Sequence, residues 1–215
     1  MRPKHLMWIG LFIFAALVTW STKYFPYFPG DVAVARWVQS LVPPNLNWAT
    51  AVSRTAEFPE LLLIWAVIFS FSWALAGRRA TLLSIFSLVG VLALGKWLGP
   101  VIARPRPSPE LVQVFRSLSG SSFPSQFALR YGAAFGFLAI LAAIKSSGWR
   151  RAGLLLGCGA LLILGGVARI ALGAHWPSDV LIYYYLGLLW SAFLIRFAPL
   201  AGRSSSSRTN DLNVS

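Results

Sequence analysis

The sequence predicts an all-α integral membrane protein, a bundle of six transmembrane helices with an interfacial helix between the first two. Charged residues make up only 12% of the 215 residues, about half of the roughly 25% typical of soluble domains. The mean hydropathy is +0.66. Apolar runs close to the length of about 20 residues that crosses a bilayer recur along the chain.

The predicted spans follow these apolar runs. The first run, residues 6–20, has a basic start that also suits a secretory signal, but bulky residues follow it where a signal peptide has a small-residue cleavage pattern. We therefore expect an uncleaved first helix. The five further spans are predicted at residues 58–77, 80–99, 126–144, 152–173 and 180–198.

A short amphipathic segment separates the first two spans. Val34, Trp37, Val38 and Leu41 recur at the spacing of one helix face, and two prolines end the segment at residues 43–44. This pattern predicts a helix that lies in the membrane interface.

The basic residues predict the orientation of the bundle. With six spans, the basic short loops and both termini fall on one side, which the positive-inside rule makes cytoplasmic. Loops 100–125 and 174–179 then share the outer face. We expect one membrane-embedded domain over residues 1–200 and a disordered, polar cytoplasmic tail over residues 201–215.

The composition also limits cofactors and partners. The net charge of +13 is spread between apolar runs, so it indicates membrane topology and not a nucleic-acid partner. The lone Cys158 excludes a disulfide framework within the chain. Because that cysteine is mid-span and His175 stands alone in its region, we expect no metal site and no cofactor.

The outer loops contain a candidate phosphate site. Arginine has a planar fork of donors that suits phosphate oxygens, and Arg104, Arg106 and Arg169 all fall near this face, with Lys96 close by. Ser125 is expected to cap a helix that begins near residue 126, and helix N-termini also bind phosphate. Taken singly, these residues equally suit lipid headgroup contacts, a snorkelling lysine and a plain helix cap.

A candidate nucleophile lies in the second outer loop. His175 is followed four residues later by Asp179, which suits a nucleophile supported by a third group. Taken singly, the histidine also suits an interfacial side chain and the aspartate a helix N-cap.

These residues resemble the signatures of the type 2 phosphatidic acid phosphatases, or lipid phosphate phosphatases, which are relatives of bacterial vanadium haloperoxidases. The family's third signature is Ser-Arg-x5-His-x3-Asp. The segment ARIALGAHWPSD matches it at Arg169, His175 and Asp179, with Ala168 in place of the serine.

The other two signatures match in part. The second, Pro-Ser-Gly-His, matches at residues 124–125, but Gln126-Phe127 replaces Gly-His. The first, Lys-x6-Arg-Pro, ends in ARPRP at residues 103–107. Its lysine is out of register, because the nearest one, Lys96, lies three residues before the expected position for Arg106, about 4.5 Å along a helix.

The resemblance implies a six-helix membrane core and a role for each matched residue. It implies that His175 attacks phosphorus to form a phosphohistidine and that Asp179 supports this histidine. The residues that it implies as phosphate ligands are Lys96, Arg104, Arg106, Ser125 and Arg169. The second-signature histidine, which protonates the leaving group in the family, is Phe127 here.

The missing acid leaves three functions open. Loss of a general acid typically costs about 10²–10⁴-fold in rate. A lipid diphosphate, such as an isoprenoid diphosphate, tolerates this loss because its leaving group is a phosphate. The alternatives are an impaired member that binds lipid phosphate without efficient turnover and a non-enzymatic carrier or scaffold. We favour a phosphatase at the outer face of a bacterial cytoplasmic membrane.

Overall fold

The described part of the computed structural model, residues 3–115 and 120–197, contains seven helices and no strand. The all-α fold class is therefore confirmed. The predicted tail at residues 201–215 lies outside the described residues. The helices are α1 (Pro3–Ser21), α2 (Asp31–Leu41), α3 (Asn47–Arg54), α4 (Glu60–Ile102), α5 (Gln126–Lys145), α6 (Gly148–Ala171) and α7 (Pro177–Phe197).

The long helices have the exterior of a membrane protein. Among the described residues, α4, α5, α6 and α7 are long and apolar enough to cross a bilayer, and α1 contributes a shorter apolar helix. Large apolar side chains on this surface are exposed, including Leu63 at 71%, Trp97 at 77% and Leu156 at 74%. Extended exposed apolar surface of this kind marks contact with a membrane.

Helix α4 is broken near its middle. Gly77 has φ 70° and ψ −164°, values that favour glycine, and Arg78 and Arg79 follow the break. The two halves correspond to the predicted spans at residues 58–77 and 80–99. A separate loop between them was implied by the sequence pattern, and the structure has a one-residue break instead.

The segment between α1 and α4 contains two helices where the sequence predicted one. The amphipathic pattern corresponds to α2, which buries Ala35 and Val38 and exposes Val34, Trp37 and Leu41. Helix α3 was not predicted, since its eight residues are too short to show a clear period. It packs against the end of α6.

Helix α5 lies at the centre of the bundle and packs against α4, α6 and α7. In its most apolar stretch 72% of the residues are buried, against 22–39% for the other long helices. Close approach to α7 depends on small residues: a Cβ on Gly187 would lie 2.5 Å from the backbone nitrogen of Ala133. Small residues at a helix interface are the usual basis of tight packing in membranes.

The end of α6 sets the path of the loop that carries His175. Gly173 adopts φ +63° directly after the C-cap residue Leu172, and its N–H donates to the Ile170 carbonyl at 3.0 Å. A Cβ on Gly173 would lie 2.2 Å from the carbonyl oxygen of Gln113. The left-handed turn and the close approach of the 100–115 loop therefore both require glycine here.

We expect Gly173→Ala to lower the thermal stability of the protein in detergent and to reduce any His175-dependent activity. The left-handed conformation alone costs about 1–2 kcal/mol for a non-glycine residue, and the clash with Gln113 adds to it. Gly159→Ala on α6 is the matched control, because its Cβ would meet nothing within 4 Å. Equal melting temperatures for the two variants would contradict the requirement for glycine.

Candidate active site

Two helix starts face the same end of the bundle. Ser125 caps α5, and its Oγ accepts a hydrogen bond from the Ala128 N–H at 3.4 Å. Helix α7 begins at Pro177, and Asp179 in its first turn accepts from the backbone N–H of Trp176 at 3.2 Å. The serine before the apolar run predicts the start of α5. The start of α7 differs from the expected span at residues 180–198: the helix begins at Pro177, a residue type favoured at the first helical position, so Asp179 lies in the first turn and not at the N-cap.

His175 lies between these helix starts and is almost fully buried, with 3% of its surface exposed. Its Nδ1 is 2.7 Å from the carbonyl oxygen of Ser122. A carbonyl only accepts hydrogen bonds, so this contact requires the proton on Nδ1. The lone pair is then on Nε2, the nitrogen available as a nucleophile.

A cavity of about 100 Å³, which we call the His175 pocket, adjoins this histidine. Pro124 and Phe127 from the start of α5 form part of its wall. The charged and polar side chains that line it include Glu57, Arg106, Gln126, Arg130, Arg169 and His175. Three guanidinium groups and one carboxylate therefore surround an imidazole, a composition that suits an anionic ligand with more than one negative charge.

The surroundings of His175 favour its neutral form. Burial lowers the pKa of His175 well below its ordinary value of 6.5, and the positive charges of Arg169 and Arg106 lower it further. The hydrogen bond to the Ser122 carbonyl acts in the opposite direction and is weaker. The imidazole is therefore neutral near pH 7, with its Nε2 lone pair free of a proton.

This lowered pKa predicts a reactivity profile. In a His5→Gln chain, which keeps one histidine, diethyl pyrocarbonate reacts with the unprotonated imidazole of His175. Because the pKa is lowered, the neutral form of His175 persists as the pH falls. We therefore expect the rate constant for modification of His175 to stay level from pH 8 down to pH 6, once the reagent's own pH dependence has been corrected for with the neutral form of free imidazole. A half-maximal rate near pH 6.5 would contradict the lowered pKa.

Arg104 lies outside the His175 pocket, in a buried ion-pair cluster. Its Nη1 donates to Asp179 and, at 3.0 Å, to Ser178, while its Nη2 lies 3.3 Å from Asp31. Its Nε donates to the Phe25 carbonyl at 3.0 Å. The donors of this guanidinium are thus directed at protein acceptors, whereas Arg106, two residues later, lines the pocket.

Asp179 is connected to His175 through an intermediate residue. Its Oδ2 accepts a short hydrogen bond from the Ser122 hydroxyl, and the Ser122 carbonyl accepts from His175. The sequence analysis expects Asp179 to support the imidazole, and in the structure the two side chains are connected in two steps through Ser122. Asp179 and His175 therefore contact the same residue, Asp179 at the Ser122 hydroxyl and His175 at the Ser122 carbonyl.

The remaining predicted site residues have different surroundings. Ser125 is buried as the α5 cap, and Phe127 is buried in the pocket wall, with the Arg169 guanidinium 5.5 Å from its ring centre. Lys96 is exposed on α4 and is outside the pocket lining. Helical side chains lean toward the N-terminus of their own helix, which directs Lys96 away from the end of α4 nearest the pocket.

The sequence analysis missed Asp31, Ser122 and Arg130, and also Glu57, which lines the pocket. Asp31 accepts from Ser178 N–H at 2.8 Å across 147 positions, and no local pattern predicts such a contact. Ser122 contributes a backbone carbonyl, which any residue type supplies. Arg130 was predictable in principle, because it follows Gln126 by four residues and so shares a helix face with it.

Comparison with known proteins identifies the family. The PAP2 superfamily model matches residues 80–203, more than half of the chain. The chain therefore belongs to the PAP2 superfamily, which confirms the resemblance to type 2 phosphatidic acid phosphatases. No curated protein sequence matches the chain significantly.

The fold has a counterpart of known structure. The transmembrane PAP2-type phosphatidylglycerolphosphate phosphatase of Bacillus subtilis has 20% sequence identity to this chain and a TM-score of 0.71. The match covers 92% of this chain and 98% of the other. This similarity establishes the fold of an integral membrane PAP2 protein.

Proposed function

We propose that the protein is a membrane phosphatase that hydrolyses lipid diphosphates at the outer face of the membrane through a phosphohistidine at His175. The observation that carries this proposal is the replacement of the family's proton donor by Phe127, beside an otherwise complete nucleophile. The Phe127 ring has no ionisable proton. Tyr131, which is stacked on it at 4.1 Å, lies outside the pocket lining, and its hydroxyl is hydrogen-bonded to Thr55.

A diphosphate substrate avoids the need for this acid. In the proposed first step, Nε2 of His175 attacks the terminal phosphorus, and the bond from that phosphorus to the bridging oxygen breaks. The bridging oxygen keeps the electron pair and leaves as part of a lipid monophosphate. The second pKa of a phosphate monoester is about 6, so this group leaves as a stable anion without a proton.

Water completes the reaction. In the second step, water attacks the phosphohistidine, the nitrogen–phosphorus bond breaks, and inorganic phosphate and a proton are released. His175 returns to its neutral form with the proton still on Nδ1. The hydrogen bond to the Ser122 carbonyl stabilises the positive charge that the imidazole carries in the phosphohistidine.

Arg106 and Arg169 are the proposed ligands of the phosphoryl group that is transferred. Both line the pocket and both lower the pKa of His175 through their charge, which requires them to be close to the imidazole. Arg106 is oriented by the Ala174 carbonyl at 2.7 Å and the Gly120 carbonyl at 3.1 Å. We assign Arg104 to positioning Asp179, and we assign no phosphate contact to Lys96.

The proposed topology has six spans. Helix α4 has 43 residues and would extend about 64 Å, twice the hydrocarbon thickness of about 30 Å. The break at Gly77, followed by two arginines, supports two antiparallel spans that meet at the cytoplasmic surface, and Glu57 and Arg106, which flank the two ends of α4, line the same pocket. Both termini are then cytoplasmic, α2 lies in the outer interface, and the His175 pocket opens outward.

Cysteine labelling tests this topology. In a Cys158→Ala background, Glu110→Cys places an exposed thiol in the proposed outer loop, and Ser147→Cys places one in the proposed cytoplasmic loop. We expect a membrane-impermeant maleimide to label the first variant in intact cells and the second only after lysis. Labelling of Ser147→Cys alone in intact cells would reverse the proposed orientation.

An impaired member that binds lipid phosphate is the second candidate, and the same Phe127 substitution favours it. Phosphate release from purified protein in detergent separates the two, using isoprenoid diphosphate, isoprenoid monophosphate, phosphatidic acid and phosphatidylglycerolphosphate. The last substrate belongs in the panel because the Bacillus subtilis neighbour acts on it. We expect release from the diphosphate to exceed release from every monophosphate. Vanadate binding that depends on Arg169, without release from any substrate, would favour the impaired member.

A further inference from the structure

Arg130 is a third arginine of the His175 pocket, and neither the signature match nor the reaction described above uses it. It lies on α5, three residues after Phe127 and four after Gln126, one turn into the helix. Because α5 begins at the pocket, the lean of its side chains toward the helix N-terminus directs Arg130 into the pocket. The same lean directs Lys96 away, since α4 ends near this level.

The guanidinium of Arg130 is held by two hydrogen bonds, and it interacts electrostatically with the Glu57 carboxylate of the same pocket. Nη1 donates to the Ala56 carbonyl at 2.6 Å, and Nη2 donates to the Gln126 side-chain oxygen at 2.9 Å. Gln126 in turn donates to the Gly95 carbonyl at 3.1 Å. The buried Nε of Arg130 has no hydrogen-bond partner among the described residues. A fixed cation with an unsatisfied buried donor is a group prepared to bind an anion.

The two departures from the second signature are thereby connected. Phe127 removes the proton donor from the pocket wall, and Gln126, at the glycine position, orients a cation beside that wall. We propose that Arg130 binds the leaving phosphate of a diphosphate substrate, so that the site stabilises the leaving group by charge where a PAP2 enzyme with the second-signature histidine protonates it. This inference rests on the proposed diphosphatase function.

In this arrangement the transferred phosphoryl group is bound by Arg106 and Arg169, next to Nε2 of His175. As the bond to the bridging oxygen breaks, the electron pair and the negative charge move onto the leaving lipid phosphate. Arg130 faces this charge and donates to it. No proton is transferred in this step, and the lipid monophosphate leaves as an anion.

Kinetics of Arg130→Gln test the assignment. We expect kcat/KM for isoprenoid diphosphate to fall by about 10–10²-fold, the usual effect of a lost charge-assisted hydrogen bond, and kcat/KM for isoprenoid monophosphate to fall less than about threefold. Arg130→Lys keeps the charge and is expected to retain an intermediate preference for the diphosphate. Arg151→Gln, an exposed arginine on α6, is the matched control and is expected to change neither value.

Ligand binding gives a second measurement that is independent of turnover. We expect methylenediphosphonate, which is not hydrolysed, to bind the unmodified protein at least about 10-fold more tightly than inorganic phosphate, and Arg130→Gln to remove this difference. If turnover is absent and this difference is present, the proposed function fails and the second phosphate subsite stands.

Three results would overturn the subsite. Equal losses on both substrates would assign Arg130 to the shared phosphoryl site or to the support of the Ala56 backbone. Unchanged kinetics on both substrates would leave it no role in the reaction. Equal affinities of the unmodified protein for methylenediphosphonate and phosphate would exclude a second subsite. If Arg130→Gln fails to fold, the test uses the kinetics of Arg130→Lys and the relative affinity of the unmodified protein for methylenediphosphonate and inorganic phosphate.

Discussion

His175→Ala is expected to abolish phosphate release from lipid diphosphates, with a loss of about 10⁴-fold or more in kcat, as for other enzymes that lose their nucleophile. The physical reason is that Nε2 of His175 is the nitrogen in the pocket with a free lone pair, fixed by the Nδ1 contact to Ser122. The arginines of the pocket are unchanged in this variant, so phosphate binding is expected to be retained.

His5→Ala is the matched control for this experiment. His5 is the other histidine of the chain, is exposed, and lies on α1 against Phe197 of α7. We expect its replacement to leave kcat unchanged. Equal activity in His175→Ala and His5→Ala would contradict the assignment of the nucleophile.

Phe127→His is expected to raise activity on lipid monophosphates by up to about 10²-fold, since it returns a general acid to the pocket wall. Activity on diphosphates should change much less, because their leaving group needs no proton. The imidazole ring is smaller than the phenyl ring that it replaces, so it fits the space that Phe127 fills against Gly165, where a Cβ on the glycine would be 2.8 Å from Cε1 of the phenylalanine. Hydrolysis is measured in mixed micelles that contain the two substrates at the same surface mole fraction.

Phe127→Asn controls for polarity, since the asparagine amide is polar like histidine but cannot act as a proton donor in acid catalysis. The single change is preferred to a full return to Gly-His, because Gln126 holds Arg130 and Gly95 and its removal would disturb both. Monophosphate activity that stays at the starting level in a folded Phe127→His variant would show that the missing acid is not what limits this reaction.

Much of the fold follows from local patterns. Apolar period and length predict the long helices, and the serine before residue 126 predicts where α5 begins. The third signature lies across the end of α6 and the start of α7, so its residues converge through local geometry. The PAP2 family match is consistent with this part of the sequence analysis.

Other parts of the site depend on contacts that local patterns do not encode. Arg104 and Arg106 are separated by one proline in an irregular segment, where no helix or strand period predicts side-chain direction, and Arg104 is paired with Asp31 and Asp179 outside the pocket. The Ser122 contribution is a backbone atom. These features required the tertiary structure, because they join segments separated by 53 to 147 positions.

Transfer of label from substrate to His175 is the measurement closest to the proposed chemistry. With isoprenoid diphosphate labelled in its terminal phosphate, rapid quenching in alkali should trap a phosphoprotein that is stable to base, labile to acid and missing in His175→Ala. The label should then appear in inorganic phosphate at the steady-state rate. Label that stays bound as intact lipid diphosphate, with no phosphoprotein and no inorganic phosphate, would contradict a hydrolase and identify a lipid-phosphate-binding protein.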